Sequence, residues 1–306
     1  MSDRPTHPKQ LGVCLSLTVL RRFVVLDIKQ RKNFTSRMAE EINIQVYMKG
    51  LSRVDRVVDD SGYAFTALDV IEKGLVSLEP IKSYSHLLYV NVSKNQIVDA
   101  SPLSELSYLV CVDLSSNALT EPPTLPQPYL QSLDMSENQI YALQGLVSGS
   151  LSVLKINRNA LTTLAGLHTL PSLVTLEASR NNIEDITSLV SDTAPKLEAL
   201  CLDDNKITSL SGIESLSALT SLSVQQNYIE SLEAVQHLEQ LTKLTTLSLI
   251  GNPVTQAEDY RSAIILLAPT LTHLDGELLT DDDRLAAVQL KRQREAEAAE
   301  QAERNE

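Results

Sequence analysis

The chain has 306 residues, 43% apolar and 21% charged, with 26 Lys and Arg against 39 Asp and Glu for a formal net charge of −13. That length suffices for a substantial core in one or two domains. The acidic balance, the lack of tryptophan and an aromatic content of 4% exclude a phosphate-tracking or base-stacking nucleic-acid surface, and no apolar run of about 20 residues is present to span a membrane as a helix.

Residues 1–37 carry eight basic and two acidic side chains, a net +6 that leaves −19 on the rest. The apolar run from Leu11 to Leu20 is followed at once by Arg21 and Arg22 without a small-residue cleavage site, which argues against a secretory signal. Met38 opens a stretch that looks like a natural start. Residues 1–37 therefore read as a basic N-terminal extension, either disordered or a mis-called start, and residues 38–64 as an N-terminal capping segment. Cys14, Cys111 and Cys201 are too few and too scattered for a disulfide framework or a metal cluster, so a reducing compartment is the default.

Residues 65–254 repeat. The pattern L-x-x-L-x-L-x-x-N-x-L/I starts at Leu87, Val90, Val92, Asn95, Ile97 and recurs through Leu244, Leu247, Leu249, Asn252, Val254. Its asparagines are Asn95, Asn117, Asn138, Asn159, Asn181, Asn205, Asn227 and Asn252, a mean spacing of about 22 residues. A degenerate copy, Phe65, Leu68, Val70, Lys73 and Leu75, precedes them with lysine in place of asparagine, as suits a terminal coil. The x-L-x-L core alternates with period two and predicts a short strand with its leucines inward. Each asparagine falls where the chain turns, and its amide is placed to satisfy backbone groups of adjacent coils. On the return leg apolar residues recur every third position, as at Ile207, Leu210, Ile213 and Leu216, a period that suits a 3₁₀ turn. The segment 121–130, EPPTLPQPYL, breaks that turn pattern.

This pattern resembles leucine-rich repeats, specifically those of the SDS22-like, phosphatase-regulator subfamily. The expected fold is α/β: a solenoid of about nine 22-residue coils with a parallel concave sheet, convex 3₁₀ turns, and a helical C-terminal cap and tail. The likeness extends to the cap over residues 255–280, where Pro253, Tyr260, Arg261, Pro269, Leu271, Leu274, Asp275 and the following Arg284 match that subfamily's cap motif. Residues 281–306 read as a charged helical tail. Thr280 and Asp283 give it a capping-box-like start, and Leu285, Val288 and Ala299 give it only a thin apolar stripe, which leaves it either solvated or docked on a larger assembly.

Side chains between the strand leucines face the concave side. One row reads Asp69, Asn91, Asp113, Asp134, Lys155, Glu177, Cys201, Ser223, Ser248, and the next outward positions add Glu137, Arg158, Arg180 and Asp204. This is an acidic strip with a basic spot at Lys155, Arg158 and Arg180, a candidate docking groove for a partner protein. An open trough neither excludes water nor shifts a carboxylate pKa, so no catalytic residue, metal, cofactor or small-molecule substrate is expected. Cys111 and Cys201 read as small surface residues too far apart to bridge.

Within residues 74–109, Ile81-Lys82-Ser83-Tyr84-Ser85-His86-Leu87 ahead of Tyr89-Val90-Asn91-Val92-Ser93 resembles the first repeats of the leucine-rich repeat-containing protein 23 family. The segment 249–275 followed by a charged helix is similar to that family too, and the likeness covers roughly residues 48–295. The family's acidic N-terminal tail is replaced here by a basic segment. The resemblance implies a non-catalytic structural component of the axonemal radial spoke, in the third spoke or its head, in motile cilia or flagella. Its partners would be other spoke proteins, with no nucleic acid and no membrane, and its location the cytoplasm, cytoskeleton and axoneme. An SDS22-like regulatory subunit of a protein phosphatase is the alternative, and a splicing-type adaptor a distant third.

Overall fold

The computed structural model describes residues 44–57, 62–189 and 194–305. The basic extension 1–37 lies outside them, as does the first part of the capping segment 38–64. The chain divides into a unit of residues 1–48, described only over 44–48, and a unit of residues 49–306. A helix, α1, whose described part covers residues 44–50, precedes the strands.

Twelve strands lie side by side in sequence order in one sheet. β1 (Leu51–Arg56) runs antiparallel to β2 (Tyr63–Asp69). From β2 the ladder is parallel through β3 (Tyr89–Asn91), β4 (Cys111–Asp113), β5 (Ser132–Asp134), β6 (Val153–Lys155), β7 (Thr175–Glu177), β8 (Ala199–Cys201), β9 (Ser221–Ser223) and β10 (Thr246–Ser248) to β11 (His273–Leu274). β12 (Glu277–Leu278) then turns antiparallel. Each three-residue strand from β3 to β10 sets one leucine or valine inward at its centre, and these centres stack in register from Leu68–Val90–Val112 to Leu222–Leu247. Strand-to-strand steps of about 4.8 Å make each coil's core continuous with the next.

The core consists of the repeat's own apolar positions. Leu87, Leu109, Leu130, Leu151, Leu173, Leu197, Leu219 and Leu244 are all 0% exposed, and burying one such side chain stabilises the fold by about 1.5–3 kcal/mol. The return legs hold 3₁₀ segments at Glu79–Ser83, Ser101–Glu105, Leu167–Thr169, Ile213–Ser215, Glu233–Gln240 and Pro253–Gln256. Gly212 enters one of them at φ +103°, and a Cβ there would lie 2.5 Å from the Ile186 carbonyl oxygen of the preceding coil, so the close coil stacking requires glycine. The proline-rich segment 121–130 forms no 3₁₀ turn. Leu125 still fills the core, and the buried Gln127 amide donates to the Leu103 carbonyl at 2.8 Å.

Two helices close the C-terminal end. α2 (Tyr260–Leu267) buries Tyr260, Ile264 and Ile265, and α3 (Asp281–Asn305) packs back on α2. Ala287 of α3 is fully buried and Leu290 half-buried, while Leu285 and Val288 are exposed. The thin stripe read from Leu285 and Val288 thus takes no part in the packing on α2, and the side chain of Ala299 lies outside the described residues. What seats α3 is polar: Arg284 donates to the carbonyls of Pro269 (2.8 Å) and Leu271, and Arg294 pairs with Asp259.

Candidate functional site

The sheet face is organised by three polar rows, one structural, one mostly half-buried and one mostly exposed. The asparagine row runs beneath the turns. Asn205 is representative: Nδ2 donates to Ala178 O of the preceding coil and to Leu202 O of its own, both at 3.0 Å, while Oδ1 accepts from Ile183 N at 3.1 Å. Asn95, Asn117, Asn138, Asn159, Asn181, Asn227 and Asn252 make the same kinds of bonds, to Val70, Val92, Leu114, Met135, Ile156, Leu202 and Val224 of the coil before. Each amide satisfies backbone groups that would otherwise be buried unpaired, so this row ties coil to coil.

The second row stands on the strands. Lateral pairing places Asp69 beside Asn91, Asp113, Asp134, Lys155, Glu177, Cys201, Ser223 and Ser248 in turn. In its N-terminal half the acids are held by their own loops. Asp113 Oδ1 accepts from Ser115 N (2.9 Å) and Oγ (2.6 Å), and Asp134 Oδ1 accepts from Ser136 N at 2.9 Å. Asn91 treats Ser93 likewise. This i to i+2 bonding is the turn chemistry of Asp and Asn, and the N/D-x-S spacing was its signal in the sequence. The Asp69 carboxylate has no hydrogen bond or ion pair among the described residues.

The third row shares a left-handed backbone. Glu72, Lys94, Ser116, Glu137, Arg158, Arg180, Asp204 and Gln226 have φ between 53° and 58°, and Gly251 completes the row at 79°. Here the expected basic spot is corrected. Arg158 pairs with Glu137 at 2.7 Å, Arg180 with Asp204 at 3.2 Å, and Lys155 of the second row with Glu177 at 3.1 Å. Each cation is drawn to a carboxylate one coil away, so the middle of the face is self-neutralised rather than basic. A hydrogen bond from Ser116, then the charge of Arg158, holds Glu137 below the usual carboxylate range. At such exposure these pairs contribute about 0–1 kcal/mol each.

The cysteines differ from expectation as well. Both are half-buried. Cys201 lies 3.1 Å from Ser179 Oγ and donates to Asp203 Oδ2 at 3.2 Å. Burial pushes both thiols up, away from the reactive thiolate form.

Phe65 marks a larger difference. The repeat template sets it inward, yet it is 44% exposed, opposite Val54 at 59%. With Tyr89 at 37%, over whose ring the Arg53 guanidinium sits 5.0 Å from the centroid, they make an apolar patch beside Asp69. The alternation Tyr63, Phe65, Ala67, Asp69 on one strand face was the signal that could have found it.

The cap residues converge on one network. Asp275 accepts from Tyr260 Oη at 2.7 Å and from Leu249 N at 2.7 Å, joining α2 to the last coil. Burial, reinforced by Asp275, pushes the Tyr260 phenol far up. Arg261 reaches Glu277 at 2.8 Å and Asp283 at 3.2 Å. Thr280 and Asp283 cap α3 reciprocally, at 2.8 Å from Thr280 N and 3.2 Å from Asp283 N. Leu274 is buried, whereas Pro253 and Pro269 are exposed. Among the described residues no group of three or more His, Cys, Asp or Glu is arranged to hold a metal, and no helix is long and apolar enough to cross a membrane.

Comparison with known proteins agrees with this architecture. A leucine-rich repeat family model matches residues 216–303. Leucine-rich repeat-containing protein 23 of Mus musculus is 32% identical over 265 residues, covering 79% of this chain and 78% of that protein. Its Homo sapiens counterpart is 31% identical, covering 83% and 80%. Acidic leucine-rich nuclear phosphoprotein 32 family member A of Drosophila pseudoobscura pseudoobscura is 30% identical over 50% of this chain and 51% of its own. Among solved structures, the leucine-rich repeat domain of APL1B aligns with a TM-score of 0.50 at 24% identity, over 61% of this chain and 55% of that one. The LRIM1/APL1C complex aligns at 0.52 and 26% identity, over 61% and 35%. These structural likenesses speak to the fold alone.

Proposed function

The chain belongs to the leucine-rich repeat-containing protein 23 family, and on that premise we propose that it is a non-catalytic structural component of the axonemal radial spoke. Its place in this reading is the third spoke or its head, in motile cilia or flagella. The observation that carries the proposal is the span of the family likeness, which at 31–32% identity runs through about 80% of both chains rather than through the generic repeat and cap alone.

The geometry supports a scaffold that binds other proteins. Its long sheet presents aligned polar rows on a backbone locked by asparagines, and its carboxylates stand in an open face. The partners on this reading are other spoke proteins, and the location is the cytoplasmic cytoskeleton of the cilium. Fractionation tests it: the tagged protein should stay with axonemes after detergent and salt extraction, and its loss should impair beating. A protein found wholly in the soluble or nuclear fraction would overturn the assignment.

A further inference from the structure

We propose that the N-terminal third of the sheet face docks a partner segment carrying an aliphatic or aromatic side chain followed by several Lys or Arg residues. The proposal deepens the scaffold reading above and rests on it. Two features that share this face carry it. The first is the apolar patch of Val54, Phe65 and Tyr89, exposed by 59%, 44% and 37%. These are large side chains at directly paired or neighbouring strand positions, and clustered exposed apolar groups of this kind mark interaction sites. The second is the carboxylate rail that starts on the same strand face as Phe65. Asp69 follows it by four residues, and Asp113 and Asp134 continue the row across β4 and β5.

The rail differs from the rest of the face in what its charges already touch. Farther along, Glu137, Glu177 and Asp204 are each neutralised by a cation of the neighbouring coil. The Asp69 carboxylate has no partner among the described residues, and Asp113 and Asp134 engage one oxygen each with their own loops. Those loop bonds fix the carboxylates in place and leave the second oxygen of each without a partner among the described residues, an acceptor for guanidinium or ammonium groups. The shallow groove over this region measures about 300 Å³. The Tyr89 ring is already covered by the chain's own Arg53 guanidinium, so the cation acceptors left in this groove are its carboxylates. Three strand steps from Asp69 to Asp134 span about 14 Å, enough for a few basic residues of one segment.

The test uses the full chain and a fluorescently labelled dodecapeptide with a Leu-Phe pair followed by alternating Arg, against a twin with Glu in place of Arg. Anisotropy should show binding of the basic peptide that weakens with salt, and tenfold or weaker binding of the acidic twin. Asp69→Asn with Asp113→Asn and Asp134→Asn should lower affinity at least tenfold and flatten the salt dependence. Phe65→Ser should lower it several-fold with the salt slope unchanged. Glu137→Gln with Asp204→Asn, at paired sites, should change it less than twofold. Bound peptide should also slow alkylation of Cys111, which lines this groove, without slowing that of Cys201.

Equal binding of both peptides, or indifference to the Asp69, Asp113 and Asp134 changes, overturns the proposal. So does a tenfold gain in peptide affinity on deleting residues 1–37, because the chain's own basic segment would then be the occupant. A protein that binds the peptide as described but fractionates away from axonemes would leave this surface standing and remove the spoke assignment. The reverse result would do the opposite.

Discussion

The sheet ends twice in an antiparallel hairpin, and the two hairpins are finished differently. At the C-terminal end the β11–β12 hairpin is tied to α2 by side chains: Asp275 accepts from both Tyr260 and the last coil's Leu249, and Arg261 reaches Glu277. Most apolar side chains of this cap are turned in: Tyr260, Ile264, Ile265, Leu271 and Leu274 are buried, and Leu278 of β12 is exposed at 63%. At the N-terminal end β1 and β2 show Val54, Phe65 and Tyr63 outward, Tyr63 being 76% exposed. One end is therefore closed by a buried cluster centred on α2 with a single large apolar side chain outward, while the other leaves three outward. The difference teaches that covering an edge strand and covering a core are separate tasks.

The largest expected effect comes from removing the closed end. Truncation before Tyr260 strips the cap from Leu247 and Leu249 and removes, among other buried groups, Ile264, Ile265, Leu271 and Leu274, each worth about 1.5–3 kcal/mol. Against a total margin of about 5–15 kcal/mol, the product should be insoluble or should lack a cooperative melt by circular dichroism. Serine at Val54 and Phe65 should, by contrast, move stability by no more than about 0.5 kcal/mol. If both ends prove equally sensitive, the asymmetry drawn here is wrong.

Next in size is the ladder that joins the ends. Asn205→Ala leaves the Ile183 N–H without a partner and removes one of the two amide donors from each of the Ala178 and Leu202 carbonyls, which keep Asn181 and Asn227. At about 1–3 kcal/mol for one unpaired buried group, urea unfolding should register a loss of about that size. A loss under 1 kcal/mol would mean that water replaces the amide.

Truncation after Thr280 sharpens the comparison within the cap. Because Arg284 bonds two carbonyls of the cap and Ala287 is buried, the melting temperature should fall by several degrees while the solenoid stays folded. An unchanged melt would show that α3 adds nothing to its own domain and leave it as a purely external element.

The smallest effect is electrostatic. Bonds from the Thr280 backbone, then from Arg261, hold the Asp283 carboxyl well below the usual carboxylate range. A depressed folded-state pKa gives stability that is full above the unfolded value and fades as pH falls through it toward the folded one. Denaturation midpoints of the intact chain should therefore decline below about pH 4. Asp283→Asn should have a lower midpoint at pH 7 and a flatter decline. Parallel acid profiles would show that Asp283 is not the titrating group.

What was legible in the sequence was whatever repeats. The inward leucines and the asparagines bond at an offset of one coil, so a period of about 22 residues exposes them together. The cap was legible because its residues match a known motif. Phe65 was misplaced for a geometric reason. In a regular coil the chain bends before its short strand, so Leu87 points inward although it precedes Val90 by three residues. β2 runs straight for seven residues beside β1, and three residues before the inward Leu68 is then the outward face. The pairing of Glu137 with Arg158 and of Arg180 with Asp204 was hidden for another reason. A sequence shows the row of charges but not which neighbour each long side chain leans toward. Arg284 was legible as part of the cap motif, but its partners were not, because it bonds carbonyls, which every residue has.

The left-handed row carries a consequence for how this surface can drift in evolution. A positive φ admits glycine freely and tolerates unbranched polar residues, but it is a steric outlier for side chains branched at Cβ. Nine successive positions there hold Glu, Lys, Ser, Glu, Arg, Arg, Asp, Gln and Gly, with no Val, Ile or Thr among them. The backbone thus filters the alphabet before any partner does. Charge can be exchanged along this line at almost no cost to the fold, whereas a β-branched contact can arise only on the strands. A lineage under pressure to change partners would rewrite signs here and shapes there, and part of the polarity of this face is owed to the turn beneath it rather than to anything that binds above.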